Sequence, residues 1–310
     1  MLESSAPGKI ILFGEHAVVF GQPALALAIS LRLRCNISLS DKFTVNGQVL
    51  SYKQHPYICA AIDRYWHGQP LRIEIDSDLP SGSGLGSSAA VTVSIIGAFQ
   101  AMQGNIVEKQ VAEKSFGIEL AVQGRASPID TSTCAHGSGI FINKTPGDEL
   151  LWDIINDSKR WFIHHCDVPA MKVVVGYTGI NAPTGPLVEK VRRFVEKNRF
   201  GNEVVEEIGQ IAIEGMKKLR CGDQVALGQL MDKNQKLLSI LGVSTPELEK
   251  LIQAAAQYSF GAKLTGAGGG GSIIALTDQP DKVSEMIKKK GGTPFIVETG
   301  APGLTIKNFD

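Results

Sequence analysis

A segment rich in glycine and serine, Pro80-Ser-Gly-Ser-Gly-Leu-Gly-Ser-Ser88, has the composition of an anion-binding loop. It follows an alternating apolar run, Leu71–Ile75, and precedes a helical pattern that begins at Ser87. Backbone N–H groups converge where such a loop meets a helix N-terminus, and the helix dipole favours negative charge there. The segment lacks the Gly-Lys-Ser/Thr ending of a Walker A loop, so a lysine that reaches phosphates must come from elsewhere. The competing interpretation is an ordinary strand-to-helix turn with Ser87 or Ser88 as its N-cap.

A second glycine run, Gly266-Ala-Gly-Gly-Gly-Gly271, contains the letters G-x-G-x-x-G. The dinucleotide-binding fingerprint follows a strand and opens a helix, whereas here a β-branched run, Ser272–Leu276, follows the glycines. Positions without bulky side chains favour a backbone that passes close to another loop or to a ligand. A hairpin or packing role is equally compatible with this run alone.

Two acidic residues stand out by their position. In the helix predicted over 108–124, Glu119 shares an apolar face with Ser115, so its carboxylate is expected to be partly buried and to need a counter-charge. Magnesium suits such a carboxylate, and an ion pair with Arg125 is the alternative. Asp130 lies in a segment of proline, serine and threonine, where an N-cap or turn role is the ordinary alternative to a catalytic one.

The elements that must position these residues mix helices and strands without a βαβαβ rhythm, which favours two α+β domains. A short polar break, Asp167-Val-Pro169, precedes a strand predicted at Met171–Val175, and we place a domain boundary there, between 1–168 and 169–310. Further helices are predicted at about 87–103, 186–199, 203–220, 223–241, 246–258 and 280–290, with strands at 9–13, 24–39, 263–264, 272–276, 294–298 and 303–307.

Composition narrows the class of protein. The 310 residues include 31 Lys and Arg against 31 Asp and Glu, and this zero net charge argues against a nucleic-acid partner. The longest apolar run, 91–102, is too short to span a bilayer, so we expect a soluble, cytoplasmic protein without a membrane partner. Five scattered cysteines predict neither disulfides nor a zinc site, and we expect them to be small buried hydrophobic residues. They are Cys35, Cys59, Cys134, Cys166 and Cys221.

Three motifs, taken in order, resemble the GHMP family of small-molecule kinases, which act on galactose, homoserine, mevalonate and phosphomevalonate. The motifs are Ser5-Ala-Pro-Gly-Lys-Ile-Ile-Leu-Phe-Gly-Glu-His-Ala-Val-Val-Phe-Gly21, Leu79-Pro-Ser-Gly-Ser-Gly-Leu-Gly-Ser-Ser-Ala-Ala90 and Lys263-Leu-Thr-Gly-Ala-Gly-Gly-Gly-Gly-Ser272. They span nearly the whole chain. Within the family, the form GEHAVVFG is similar to that of the enzymes that act on mevalonate.

The resemblance implies an N-terminal domain of ribosomal-protein-like α+β fold and a C-terminal ferredoxin-like domain, with a cleft between them. ATP would lie with its phosphates over Pro80, Ser81, Gly82, Ser83, Gly84, Leu85, Gly86, Ser87 and Ser88. Ser88 and Glu119 match the family positions that hold Mg²⁺. The third motif would close over the phosphates.

The resemblance also implies roles beside the reacting groups. Asp130 matches the catalytic aspartate and Lys9 matches the lysine near the reacting hydroxyl. Glu15 and His16 match positions beside the mevalonate pocket. Because mevalonate is a carboxylate, its pocket needs a donor or a cation; His16 is the first candidate, with Thr178 and Thr184 as weaker ones.

The implied activity is phosphorylation of the C5 hydroxyl of (R)-mevalonate by ATP, in isoprenoid biosynthesis. A sibling kinase, such as one for phosphomevalonate, and a catalytically silent ligand sensor on the same fold are the alternatives. The segment Arg125-Ala-Ser-Pro-Ile129 departs from the NPSGV form of eukaryotic relatives, and Ser272 stands where cysteine is common. Many such kinases are homodimers, so a homodimer is expected.

Overall fold

The computed structural model describes residues 1–124, 126–157, 159–181 and 184–308, which form two β-sheets and the helices packed on them. The strands are β1 Leu2–Phe13, β2 Ala24–Leu39, β3 Thr44–Val45, β4 Gln48–Val49, β5 Leu71–Ser77, β6 Gly139–Asn143, β7 Leu150–Asn156, β8 Lys159–Cys166, β9 Lys172–Tyr177, β10 Gly261–Thr265, β11 Ser272–Leu276, β12 Thr293–Glu298 and β13 Thr305–Asn308. The helices are α1 Pro56–Tyr65, α2 Ser87–Met102, α3 Glu108–Gln123, α4 Ile129–His136, α5 Thr184–Lys197, α6 Arg199–Arg220, α7 Gln224–Ile240, α8 Pro246–Ala256 and α9 Pro280–Lys289. A 3-10 turn spans Ala17–Phe20.

The larger sheet has nine strands and is organised around β2, which pairs with β1, β5 and β6. The apolar run that begins β2 is buried on both faces, whereas its later part alternates between buried and partly exposed residues. This pattern is typical of a strand that is covered on both faces in its first half and on one face in its second half. Helices α2 and α4 pack against β1 and β2, so the residues of the first two motifs lie on one contiguous core.

The smaller sheet has the order β10-β11-β9-β12, and all its strand pairs are antiparallel. Along the chain, β9 is followed by helices, then β10 and β11, then α9 and β12. This is the split β-α-β arrangement of a ferredoxin-like domain. The prediction of an α+β chain with this second domain is therefore confirmed.

The last strand returns to the first sheet. Strand β13 pairs antiparallel with β1, with Leu2 opposite Asn308 and Ser5 opposite Thr305. The boundary between 1–168 and 169–310 stays a proposal, and the C-terminal segment contributes to the sheet built mainly from the N-terminal part.

Several elements were not expected from the sequence. Helices α1 and α4 and strands β6, β7 and β8 had no predicted counterpart, whereas α2 and α3 end within one residue of the predicted bounds. The expectation that every cysteine is buried is wrong for Cys221, which lies exposed just after α6. Within the described ranges, no helix combines the length and the apolar character that crossing a membrane would need.

Candidate active site

The loop between β5 and α2 has the geometry of an anion site. Gly82, Gly84 and Gly86 have φ values of 69, 78 and 79°, a conformation that glycine adopts without strain. Gly86 is the N-cap of α2, and the first turn of that helix carries no acidic residue. The N–H groups of this turn have no partner within the helix, so they are available to an anion. The alternative of a serine N-cap is wrong, because no side chain in the described structure caps α2.

Lys9 connects the loop to the predicted catalytic aspartate. Its ammonium lies 3.0 Å from Oδ1 of Asp130 and donates a hydrogen bond of 3.1 Å to the carbonyl oxygen of Gly84. The lysine side chain is 2% exposed, whereas that of Asp130 is 30% exposed. Asp130 is in the first turn of α4, where the helix dipole also attracts negative charge. Asp130 therefore lies in a helix rather than acting as its N-cap, which is Pro128.

Glu119 and Ser88 form the second polar pair of the site. The Ser88 hydroxyl donates to Oε1 of Glu119 at 2.7 Å, and Glu119 is 3% exposed. Burial, together with the negative charge of nearby Asp130, raises the pKa of Glu119 to about 7. A buried carboxylate beside a second carboxylate favours a bound cation.

The donor set fits Mg²⁺. Adjacent oxygen ligands of an octahedral magnesium lie about 3 Å apart, which is close to the separation of the Ser88 and Glu119 oxygens. Among the described residues, no three or more His, Cys, Asp and Glu side chains are grouped so that they could hold a metal ion. Ser88 and Glu119 are the two side chains that would hold the ion, as the family resemblance implies.

The third motif lies against the phosphate loop through its backbone. A β-carbon on Gly266 would lie 3.6 Å from the carbonyl oxygen of Gly84, and one on Gly271 would lie 3.3 Å from that of Ser83. The Thr265 hydroxyl of the third motif accepts from the N–H of Ile11, in the first motif, at 3.0 Å. The three motifs, which are far apart in sequence, thus meet in one place.

His16 is held by the third motif. Its Nε2–H donates to the carbonyl oxygen of Ala267 at 2.9 Å, because a carbonyl oxygen can only accept. Its Nδ1 is buried and has no hydrogen-bond partner in the described part of the chain. Burial lowers the pKa of His16, an effect that the bond to Ala267 partly opposes. The neutral ring therefore presents a hydrogen-bond acceptor at Nδ1.

Glu15 is more completely buried than His16. One of its carboxylate oxygens pairs with the Lys263 ammonium, and the other accepts from Nδ2 of Asn234 at 3.1 Å. The side chains of Glu15 and Lys263 are both 0% exposed. Burial lowers the pKa of Lys263, and the charge of Glu15 opposes that shift. The structure thus places Glu15 beside His16 with both oxygens engaged by protein groups.

The remaining predicted residues divide into those that the structure describes and those that it does not. The hydroxyl of Thr178 donates to the carbonyl oxygen of Gly271 at 2.8 Å, so it fixes the end of the third motif. The side chain of Thr184 and the whole of Arg125 lie outside the described residues. The role of Thr178 in substrate binding stays a prediction.

Tyr57 and Gln123 are neighbours of the site that the sequence analysis did not single out. Nε2 of Gln123 donates to the Tyr57 hydroxyl at 3.0 Å and lies 3.5 Å from Oε1 of Glu119. Burial and the charge of Glu119 raise the pKa of Tyr57. Tyr57 follows Pro56 at the start of α1, a helix whose pattern was too short to be predicted, and no other signal indicated it.

Comparison with known protein families agrees with this geometry. Residues 54–138 match the N-terminal domain of GHMP kinases, and residues 212–292 match their C-terminal domain. The two matched segments contain the phosphate loop, Glu119, Asp130 and the third motif. The chain belongs to the GHMP kinase family.

Within that family, full-length similarity is to mevalonate kinases. The chain is 34% identical to the mevalonate kinase of Pyrococcus furiosus, with 98% of each chain covered. It is 35% identical to that of Archaeoglobus fulgidus, over 98% of this chain and 99% of the relative. A crystal structure of L. major mevalonate kinase in complex with R-mevalonate superposes with a TM-score of 0.82 at 27% identity, covering 97% of this chain and 96% of that one.

Proposed function

We propose that this kinase transfers the γ-phosphoryl group of ATP to the C5 hydroxyl of (R)-mevalonate. The observation that carries the proposal is the position of the Lys9 ammonium, which contacts both Asp130 and the carbonyl oxygen of Gly84. The Lys9 ammonium is therefore a cation that lies beside both a proton acceptor, Asp130, and the phosphate loop. The full-length similarity to mevalonate kinases supports the choice of acceptor.

Asp130 would accept the proton of the attacking hydroxyl. In the step, the C5 oxygen bonds to the γ-phosphorus, the bond from that phosphorus to the ADP oxygen breaks, and the hydroxyl proton passes to the Asp130 carboxylate. Partial exposure of Asp130 leaves it accessible to a substrate. In a loose transition state the proton moves late, so orientation of the hydroxyl by Asp130 is as important as its basicity.

Lys9 and the phosphate loop would stabilise the charge that shifts during the transfer. The ammonium can reach the oxygen of the developing bond, while the N–H groups of 82–88 offset charge on the departing ADP. Ser88 and Glu119 would hold Mg²⁺, which neutralises charge on the phosphates when it is bound. Lys9, Ser88, Glu119 and Asp130 lie on β1, α2, α3 and α4, so these side chains need little reorganisation for the transfer.

His16 would bind the acceptor through Nδ1. As a neutral ring that already donates through Nε2, it suits a substrate hydroxyl better than a carboxylate. We therefore infer that His16 accepts a hydrogen bond from the tertiary C3 hydroxyl of mevalonate. Thr178 and Thr184 remain candidates for the carboxylate.

The test is a comparison of acceptors. ADP release is measured with (R)-mevalonate, phosphomevalonate, galactose and homoserine at saturating ATP and Mg²⁺, with Asp130→Asn as the inactive control. We expect mevalonate to give the highest kcat/KM. A higher value for phosphomevalonate would replace this function with the sibling kinase. Binding of an ATP analogue without ADP release from any acceptor would indicate the ligand sensor.

The proposal also covers the oligomeric state and the cellular location. We propose a homodimer that acts on small molecules in the cytoplasm, without nucleic-acid or membrane partners. Zero net charge supports the absence of a nucleic-acid partner. Sedimentation equilibrium tests the dimer, and a single species of 33.2 kDa would contradict it.

A further inference from the structure

The backbone at His16 is strained. Its φ and ψ are 59 and −43°, and the N–H of Ala17 donates to the carbonyl oxygen of Glu15 at 2.7 Å. This is the γ-turn with positive φ, which is rare for residues other than glycine. Such a conformation persists only where the surrounding structure holds it.

Groups from the C-terminal part of the chain hold the first two residues of the turn, Glu15 and His16. Before His16, the Glu15 carboxylate is bound by Lys263 of β10 and Asn234 of α7. At His16 itself, the ring is bound by Ala267 of the third motif. The Glu15, Lys263 and Asn234 side chains are fully or almost fully buried. A buried ammonium is stable only beside its partner, so the ion pair forms only when the turn sits against β10.

We propose that Lys263, assisted by Asn234, is a positioning residue that acts through Glu15 to hold the His16 ring toward the acceptor substrate. The inference rests on the proposed function, because it assigns the acceptor to the His16 side of the site. Lys263 touches neither substrate in this account. Its effect passes through the Glu15 carboxylate and the strained turn to Nδ1 of His16.

Steady-state kinetics separate this role from catalysis. We expect Lys263→Met to raise the KM for mevalonate about tenfold, the effect of one lost hydrogen bond, while the KM for ATP stays within about twofold. Asn234→Ala removes only the second contact to Glu15 and should raise the KM for mevalonate by about threefold. Lys233→Met is the matched control, because Lys233 is the neighbouring residue on α7 and pairs with Glu207 at the surface.

A second readout does not depend on activity. Side-chain ¹⁵N NMR of the histidines, with His16 assigned through His16→Asn, reports which ring nitrogen carries the proton. The wild type should show the Nε2–H tautomer at His16, and Asn234→Ala and Lys263→Met should show a mixture of tautomers. Lys233→Met should match the wild type.

The outcomes distinguish the two proposals. Wild-type protein that does not phosphorylate mevalonate contradicts the proposed function, while the NMR comparison still tests the positioning role. Unchanged KM for mevalonate and unchanged His16 signals in Asn234→Ala overturn the inference, even if Lys263→Met fails to fold. An equal rise in both KM values would also overturn it, because it would indicate a general structural role.

Discussion

Two lysine–carboxylate pairs lie in the same site and differ mainly in the solvent exposure of their side chains. In the Lys9–Asp130 pair the carboxylate is 30% exposed, and in the Lys263–Glu15 pair neither side chain is exposed. The first lies at the phosphate loop, between β1 and α4. The second lies between β10 and the turn that follows β1.

This difference separates two uses of the same interaction. A carboxylate that a substrate can reach can exchange a proton with it and stabilise changing charge. A fully buried pair cannot exchange a proton with a substrate. It does couple β10 to the turn that follows β1, because either charge would be buried without a partner if the two segments came apart. On the proposed mechanism, the first pair takes part in phosphoryl transfer and the second positions the turn at His16.

The largest expected effect is from Asp130→Asn, which keeps the shape of the side chain and removes its basicity. We expect kcat to fall by about 10³-fold, within the usual range for general acid–base catalysis, while the KM for mevalonate changes little. Rapid-quench measurement of ADP formation checks this. Asp153→Asn is the control, because Asp153 pairs with Lys109 and Arg160 away from the site. Retention of more than a tenth of the wild-type kcat by Asp130→Asn would remove Asp130 from the chemistry.

Lys9→Met should cause the second-largest decrease in kcat. Loss of one preorganised cation at the reacting oxygen is expected to lower kcat by about 10²-fold. The Asp130→Asn/Lys9→Met double variant should be little slower than Asp130→Asn, because the two residues act as a unit. Steady-state assays of the two single variants and the double variant check this. Fully multiplicative losses would show that the two groups act independently.

Glu119→Gln tests the metal site through pH and stability. The pKa of Glu119 in the folded chain, about 7, lies above its ordinary value of 4.5, so the native state binds the proton more tightly than the unfolded state. Without metal, wild-type stability should fall as pH rises from about 4.5 through about 7. At pH ~8 the metal-free variant should be more stable by on the order of 3 kcal/mol, and the difference should shrink toward pH ~5.

Denaturant titrations with and without Mg²⁺ measure these differences. Mg²⁺ should stabilise the wild type and have little effect on Glu119→Gln. Glu113→Gln is the matched control, because Glu113 lies on the same helix and pairs with Lys109 near the surface. A pH-independent difference between Glu119→Gln and wild type would contradict the assignment of a raised pKa.

Ser272→Cys should have the smallest effect. Ser272 is fully buried at the start of β11, and its hydroxyl has no hydrogen-bond partner in the described structure. Cysteine removes a buried unsatisfied hydroxyl at little cost in volume, so we expect a change in unfolding free energy below about 1 kcal/mol and unchanged kinetics. A denaturant titration measures the free energy of unfolding, and a steady-state assay measures the kinetics. A clear loss of activity would show that this position has a role beyond packing.

The sequence predicted the parts of the site that depend on local pattern. The phosphate loop follows a strand and opens α2, as its glycines and the helical period after Ser87 indicate. The burial of Glu119 follows from its position on the apolar face of α3, which the structure confirms. The α+β class was likewise predictable, because helices and strands mix without a βαβαβ rhythm, and the family resemblance implied the two-domain fold.

Local pattern alone could not predict the parts that depend on distant contacts, and only the family resemblance assigned Lys9 and Asp130 to the site. Asp130 lies in α4, a helix of 8 residues whose serine- and threonine-rich sequence has no clear apolar period. Lys263 belongs to a recognised motif, but its partner Glu15 is 248 positions away. No local pattern reveals that the two charges are buried together. The strained turn at His16 is also invisible in sequence, because tertiary contacts rather than local propensity impose it.

The most direct test measures kcat and the KM for mevalonate for Asp130→Asn and Lys263→Met in parallel. We expect Asp130→Asn to lower kcat with little change in the KM for mevalonate, and Lys263→Met to raise the KM for mevalonate with little change in kcat. A loss of the same parameter in both variants would contradict it, because the two ion pairs would then serve one purpose.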